Sequence, residues 1–89
     1  MAVTLPTDVL QDDIAVSVAC VIASANKRAR ELGIDVLQSI ISITQHARNG
    51  GWIWRVNYGL RDYVGRRGGD LVIEIDPSDA SIRQVRWGQ

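Results

Sequence analysis

The stretch Ile41-Ser42-Ile43-Thr44-Gln45-His46-Ala47-Arg48-Asn49-Gly50-Gly51-Trp52-Ile53-Trp54-Arg55-Val56-Asn57-Tyr58 decides the fold. Before the glycines, Ile41, Ile43, Gln45 and Ala47 share one face and Ser42, Thr44 and His46 the other, the period-two pattern of a half-buried strand. After them Trp52, Trp54, Val56 and Tyr58 alternate with Ile53, Arg55 and Asn57 in the same way. Arg48, Asn49, Gly50 and Gly51 between the runs supply hairpin turn chemistry. A two-residue turn on Asn49 and Gly50, or on Gly50 and Gly51, puts the isoleucine row and the aromatic row on one side of the sheet. The matching faces support the hairpin independently of the turn.

Working toward the C-terminus, Gly59 to Gly69 reads as a wet loop, broken by Gly59, Gly65, Gly68 and Gly69 and kept polar by Arg61, Asp62, Arg66 and Arg67. A third strand follows with Leu71, Ile73 and Ile75 inward and Val72, Glu74 and Asp76 outward. Asp76-Pro77-Ser78-Asp79 fits a type I turn with Pro at its second position. The last strand, about Ser81 to Trp87, has Ile82 and Val85 at opposite parity, which predicts a bulge.

Toward the N-terminus the period changes to a helical one. Thr7 after Pro6 is a candidate N-cap, with Asp8, Asp12 and Asp13 near the positive end of the helix dipole. Lys27, Arg28 and Arg30 precede Leu32 and Gly33, the pattern of a glycine C-cap with Ile34 for its apolar contact. The spacing predicts a single domain: a tail over 1–6, a helix over 7–32 and an antiparallel sheet over 38–88. One helix on a four-stranded antiparallel meander is an α+β architecture in which the helix covers the apolar face of the sheet. A helix of that length is about 37 Å long against about 24 Å for seven-residue strands, so it should overhang, kink or meet a strongly curved sheet. Ala15, Ala19 and Ala23 form a second, small-residue row on the helix, from which a homodimer interface is expected.

Composition narrows the function classes. The chain has 89 residues, 46% of them hydrophobic, with ten Lys and Arg against ten Asp and Glu. For this mass area scaling predicts that about 64% of the unfolded surface is buried, enough for a single modest core. Zero net charge speaks against a generic polyanion binder. One Cys and one His exclude an internal disulfide and an all-protein zinc site. No cofactor is indicated. The longest apolar stretch, Ile14 to Ala25, is short of the roughly 20 residues that cross a bilayer. Asp8, Asp12 and Asp13 stand where a signal peptide carries positive charge. The unpaired Cys20 and this reading make a reducing cytoplasm the expected compartment.

Gly50-Gly51-Trp52-Ile53-Trp54-Arg55-Val56 and Gly69-Asp70-Leu71-Val72-Ile73-Glu74-Ile75-Asp76-Pro77-Ser78-Asp79-Ala80-Ser81-Ile82, behind one long helix, resemble the small cystatin-like α+β domains. Among these the pattern is most similar to PepSY-type domains and NTF2-fold immunity proteins, and to some orphan proteins of integron gene cassettes. The resemblance implies a fold far more than a function. Cystatin inhibitors use a Gln-x-Val-x-Gly hairpin. Gln84-Val85-Arg86-Trp87-Gly88 has the wrong spacing and is C-terminal, so inhibition is not implied. The family's usual glycine after the Asp turn is Ala80 here; if that position is left-handed it carries strain of about 1 kcal/mol.

Candidate sites are few. Cys20 and His46 fall on opposite sides of the sheet, too far apart for a nucleophile and its base; a buried thiol and a solvated imidazole are expected instead. Glu74 and Asp76 share the outer face with Arg55, the usual setting of cross-strand ion pairs. Arg and Trp are frequent in the C-terminal half, but Trp52, Trp54 and Tyr58 belong to the core face and leave no stacking platform for nucleic acid. The loop lacks a phosphate-loop ending, yet Arg61, Tyr63, Arg66 and Arg67 make it the best surface for a partner or a small anion. Gln45, Trp54 and Tyr58 could floor a pocket between helix and sheet. These readings converge on a small non-enzymatic domain, dimeric, of mobile-cassette or immunity type, that binds another protein. The alternative is a ligand-binding or catalytic domain built on the helix–sheet pocket.

Overall fold

The computed structural model describes residues 11–60 and 70–87, together with Asp8. Helix α1, Asp13–Glu31, precedes a 3-10 turn, Val36–Gln38, and four strands: β1 Ser39–Arg48, β2 Gly51–Leu60, β3 Leu71–Ile75 and β4 Ile82–Trp87. The strands form one antiparallel sheet in the order β1-β2-β3-β4. The α+β meander read from the sequence is the fold.

Asp8 is helical, but Gln11 and Asp12 are not, and α1 starts at Asp13. Asp12 is extended, with φ −74° and ψ 112°, and its carboxylate accepts the Ala15 N–H at 2.9 Å. Asp12 is therefore the N-cap of α1, while Thr7 lies outside the described residues. Asp12, read as a charge near the N-terminal end of the helix, is the cap itself, with Asp13 as the acidic residue behind it. At the other end the expected glycine cap forms completely. Gly33, at φ +89°, donates to the Arg30 carbonyl, and Ile34 donates to the Ala29 carbonyl at 2.9 Å. This is the Schellman pair of bonds, with Leu32 and Ile34 packed on the core beneath it.

The β1–β2 hairpin turns on Asn49 and Gly50, at φ 48° and 81°. Two successive positive φ values make a type I′ turn, whose twist matches that of the strands. Ile41 stands opposite Tyr58, Ile43 opposite Val56, Gln45 opposite Trp54 and Ala47 opposite Trp52, as parity requires. β2 continues to Leu60, past the expected loop start, and Gly59 pairs with Ile40. The predicted bulge is present: Glu74 pairs with Gln84 but Ile75 pairs with Ile82, which leaves Arg83 as the extra residue. The Asp76 turn is one residue wider than a type I turn, because Ala80 N–H donates to the Asp76 carbonyl.

Val21, Ala25 and Ala29 of α1 meet Trp54, Val56, Tyr58, Leu71, Ile73 and Ile75 of the sheet's inner face. Short alanine side chains bring the helix close to the sheet. The 19-residue α1 is about 28 Å long; the 10-residue β1 and β2 span about 33 Å and the 5-residue β3 about 17 Å, so the expected length mismatch holds against β3 and not against β1 and β2. α1 packs on β2 and β3. A helix about 10 Å wide covers about two strands spaced at about 4.8 Å, and among the described residues both outer strands keep a partly open inner face, with Ile43 and Val85 half-buried against the core.

Candidate functional site

Two polar contacts fix how α1 sits across the sheet. On one flank Ser24 Oγ donates to the Ala80 carbonyl at 3.0 Å, beside β4. On the other the Tyr58 hydroxyl donates to Asn26 Oδ1 at 2.6 Å. Ala19 and Ala15 precede Asn26 by seven and eleven residues, so helical geometry places them on Asn26's flank, toward β1. Ala15, Ala19 and Ala23, the expected dimer interface, are all exposed.

Beyond that flank lies β1. Ile41 is 37% exposed, and Trp52, opposite Ala47 at the hairpin end, 39%. Ile43 is half-buried at the edge of the core, and Gln45 and Ala47 are exposed. On the opposite face Ile40 is 52% exposed. β1 is thus a ten-residue edge strand with apolar side chains open on both faces. Among the described residues no strand pairs with its free edge. Trp52 touches the buried Trp54 edge to face, with ring centroids 5.0 Å apart.

The sheet's outer face is organised around Glu74. Arg55, directly opposite it in register, donates from Nε and Nη2 to Oε2 at 3.1 and 2.8 Å. Arg48 donates to both carboxylate oxygens at 3.0 and 2.9 Å. Glu74 forms the cross-strand pair with Arg55 that their shared face implies, and it is almost fully covered, its cover including the guanidinium groups themselves. Burial acts to raise its pKa, yet the Arg55 hydrogen bonds and the Arg48 charge outweigh burial and hold the carboxyl below its ordinary value. Asp76, expected beside Glu74, pairs with Arg83 instead. Hydrogen bonds from the Ser78 hydroxyl, then from Arg83 and the Ser78 N–H, lower its pKa to about 2. All of this chemistry is spent on internal pairing.

The remaining predicted residues separate. Trp54 and Tyr58 are buried in the core between helix and sheet, whereas Gln45 is exposed. Burial, outweighing the charge of Arg30, pushes the Tyr58 phenol up to about 12. One cleft, of about 410 Å³, lies between α1 and the β3–β4 turn and includes Ser17, Cys20 and Asp79. A second, of about 410 Å³, lies at the hairpin end and includes Arg48, Trp52 and Arg83. Cys20 is exposed rather than buried, because the helix covers the sheet with its Val21 side. His46, hydrogen-bonded to Thr44 Oγ1 at 2.8 Å, is on the outer face, across the sheet from Cys20. Arg61, Tyr63, Arg66 and Arg67 lie outside the described residues.

Among the described residues no cluster of three or more His, Cys, Asp or Glu side chains could hold a metal ion. No described helix is long and apolar enough to cross a membrane. Sequence reading missed two features. Arg48 shares the even-numbered outer face with Arg55's register partner and was legible as a second ligand of Glu74. The open edge of β1 was legible as the first strand of a meander that carries no charge from Ser39 to Ala47. Compared with protein-family models, with curated proteins and with solved structures, the chain matches none.

Proposed function

We propose that this chain is a small non-enzymatic interaction domain that acts by binding a protein chain, and that β1 with the inner-face strip beside α1 is the binding surface. The observation that carries this reading is the pair of apolar side chains left open on one edge strand, Ile40 and Ile41 on its two faces, with Trp52 of β2 exposed toward the hairpin end opposite Ala47. Exposed apolar patches rimmed by polar residues mark interaction surfaces in folded domains, and an unpaired strand edge adds main-chain donors and acceptors. The immunity-type or gene-cassette role implied by the cystatin-like resemblance belongs to the same reading, since such a role is carried out by binding.

Affinity capture from cells that express the chain tests it, comparing the parent with an Ile40→Lys, Ile41→Lys variant. Both positions are exposed, so the variant is expected to unfold as cooperatively as the parent. A polypeptide retained by the parent and lost by the variant, whether another protein or further copies of this chain, supports the reading. Identical capture profiles overturn it.

A further inference from the structure

We infer that the partner of β1 is a second copy of this chain, added antiparallel at the strand edge so that two four-stranded sheets become one of eight strands. The inference rests on the proposed binding surface and names its occupant. It starts from the hairpin. Arg48 and Gly51 flank the two-residue turn, and in such a hairpin the closing pair exchanges both main-chain hydrogen bonds. Because pairs alternate between bonded and non-bonded, the even-numbered residues of β1 direct N–H and C=O to β2. Ile41, Ile43, Gln45 and Ala47 direct theirs to the edge that no described strand pairs, whereas the Ser39 N–H is already held by the Val36 carbonyl. The groups that need a partner are therefore main-chain groups at two-residue spacing, which another strand satisfies.

The strand is suited to its own copy. Residues 39–47 contain no Asp, Glu, Lys, Arg, Pro or Gly, so an antiparallel copy meets no like charge and loses no donor. Arg48, the one charge in β1, is turned to Glu74 on the outer face. A two-fold axis through Ser42 sets Ile41 opposite Ile43 of the second copy on the inner face and Ile40 opposite Thr44 on the outer one. Odd residues then face odd residues, as the outward main-chain groups require. The helices clear one another: each lies over β2 and β3, so four strand spacings of about 4.8 Å separate them by about 19 Å, against the 8–10 Å of helices in contact. The other edge of the sheet has the opposite character. β4 carries Arg83 and Arg86 within six residues and is distorted by the bulge, the devices by which edge strands avoid pairing. Self-pairing through β1 uses one edge of each copy and stops at two.

The test uses the purified full chain. Light scattering from micromolar to millimolar concentration is expected to reach twice the 9.8 kDa chain mass. In the dimer, amide hydrogens of Ile41, Ile43 and Gln45 are expected to exchange at least a hundredfold more slowly than in the monomer, while those of Ser42 and Thr44 are protected in both. Gln45→Pro removes an outward N–H and none from the β1–β2 ladder, and is expected to weaken dimerisation at least tenfold. If that variant does not fold, the exchange pattern of the parent decides alone. A dimer whose odd-numbered β1 amides remain unprotected is joined elsewhere, for instance along Ala15, Ala19 and Ala23, and overturns the inference. A monomer throughout the range also overturns it. A different protein captured through β1 would then leave the binding reading standing, whereas failure to capture any chain removes both.

Discussion

Glu74 and Arg55 face one another across β3 and β2 on the outer side of the sheet, with Arg55 Nη2 2.8 Å from Glu74 Oε2. Arg48 completes a two-arginine clasp on the same carboxylate. The Arg48 and Arg55 side chains keep 43% and 26% exposure while Glu74 keeps 1%, so the acid is dry because the bases lie over it.

That arrangement predicts a modest cost for breaking the cluster. Removing one partner of an ion pair buried inside a protein costs about 3–5 kcal/mol. Here, Arg48→Ala combined with Arg55→Ala also admits water to the carboxylate, and a loss of about 1–2 kcal/mol is expected. Either single variant should cost less than half of the pair, since the remaining arginine holds the acid. Urea denaturation of both single variants and the double variant checks this. A loss above about 3 kcal/mol in the double variant would mean that the sheet itself dries Glu74.

Two left-handed positions predict opposite signs. Ala80 has φ 59°, the conformation anticipated from the missing glycine. Ala80→Gly is expected to stabilise the fold by about 0.5–1 kcal/mol, less the lost packing of its half-buried methyl group. At about 4–8 °C per kcal/mol for a domain of this size, the melting temperature rises by a few degrees. Gly33 has φ +89° with open space around the place of a Cβ, so Gly33→Ala meets no clash. It should nevertheless destabilise by about 1 kcal/mol through the backbone alone.

Acid should loosen the β3–β4 turn first. Ser78 and Arg83 hold Asp76 at about 2, and the Ser81 hydroxyl and N–H lower Asp79; Glu74 is lowered as well. A carboxylate whose folded pKa is depressed contributes stability that is complete above its unfolded value, about 4, and is lost as pH falls through the folded value. Stability is therefore expected to be flat above about pH 5 and to decline toward pH 2. Carboxyl NMR titration should show Asp76 protonating last among these turn groups. Asp76→Asn should flatten the decline.

At the opposite end of the pH scale, Tyr58 reports the helix–sheet contact. Its phenol is pushed up to about 12 by burial and donates to Asn26 at 2.6 Å. A raised folded pKa means that its contribution is complete below the unfolded value near 10 and is lost as pH rises through about 12. Absorbance titration should find this phenol ionising only together with unfolding. Tyr58→Phe removes the hydrogen bond at a cost of about 1 kcal/mol, because the half-exposed Asn26 can turn to water. An early, reversible ionisation near pH 10 would show that the contact is open to solvent.

Local patterns determined a great deal by themselves. The alternation of Ile41 to Tyr58 set which faces of the hairpin match, because a one-residue slip would turn every side chain to the wrong face. Asn49-Gly50-Gly51 set a tight turn without choosing its centre, Leu32-Gly33-Ile34 the helix end, and the parity conflict of Ile82 and Val85 the bulge, since each depends on backbone conformations that only a few residues tolerate. Tertiary structure decided what covers each face. Parity put Glu74 outward but could not say that two arginines would dry it. It put Trp54 and Tyr58 inward but could not say that they would be buried in the core while Gln45 is exposed. It put Ile41 inward as well, yet one helix is too narrow for four strands, and β1 is left partly open. Periodicity fixes direction along one element, whereas burial depends on the width and placement of another.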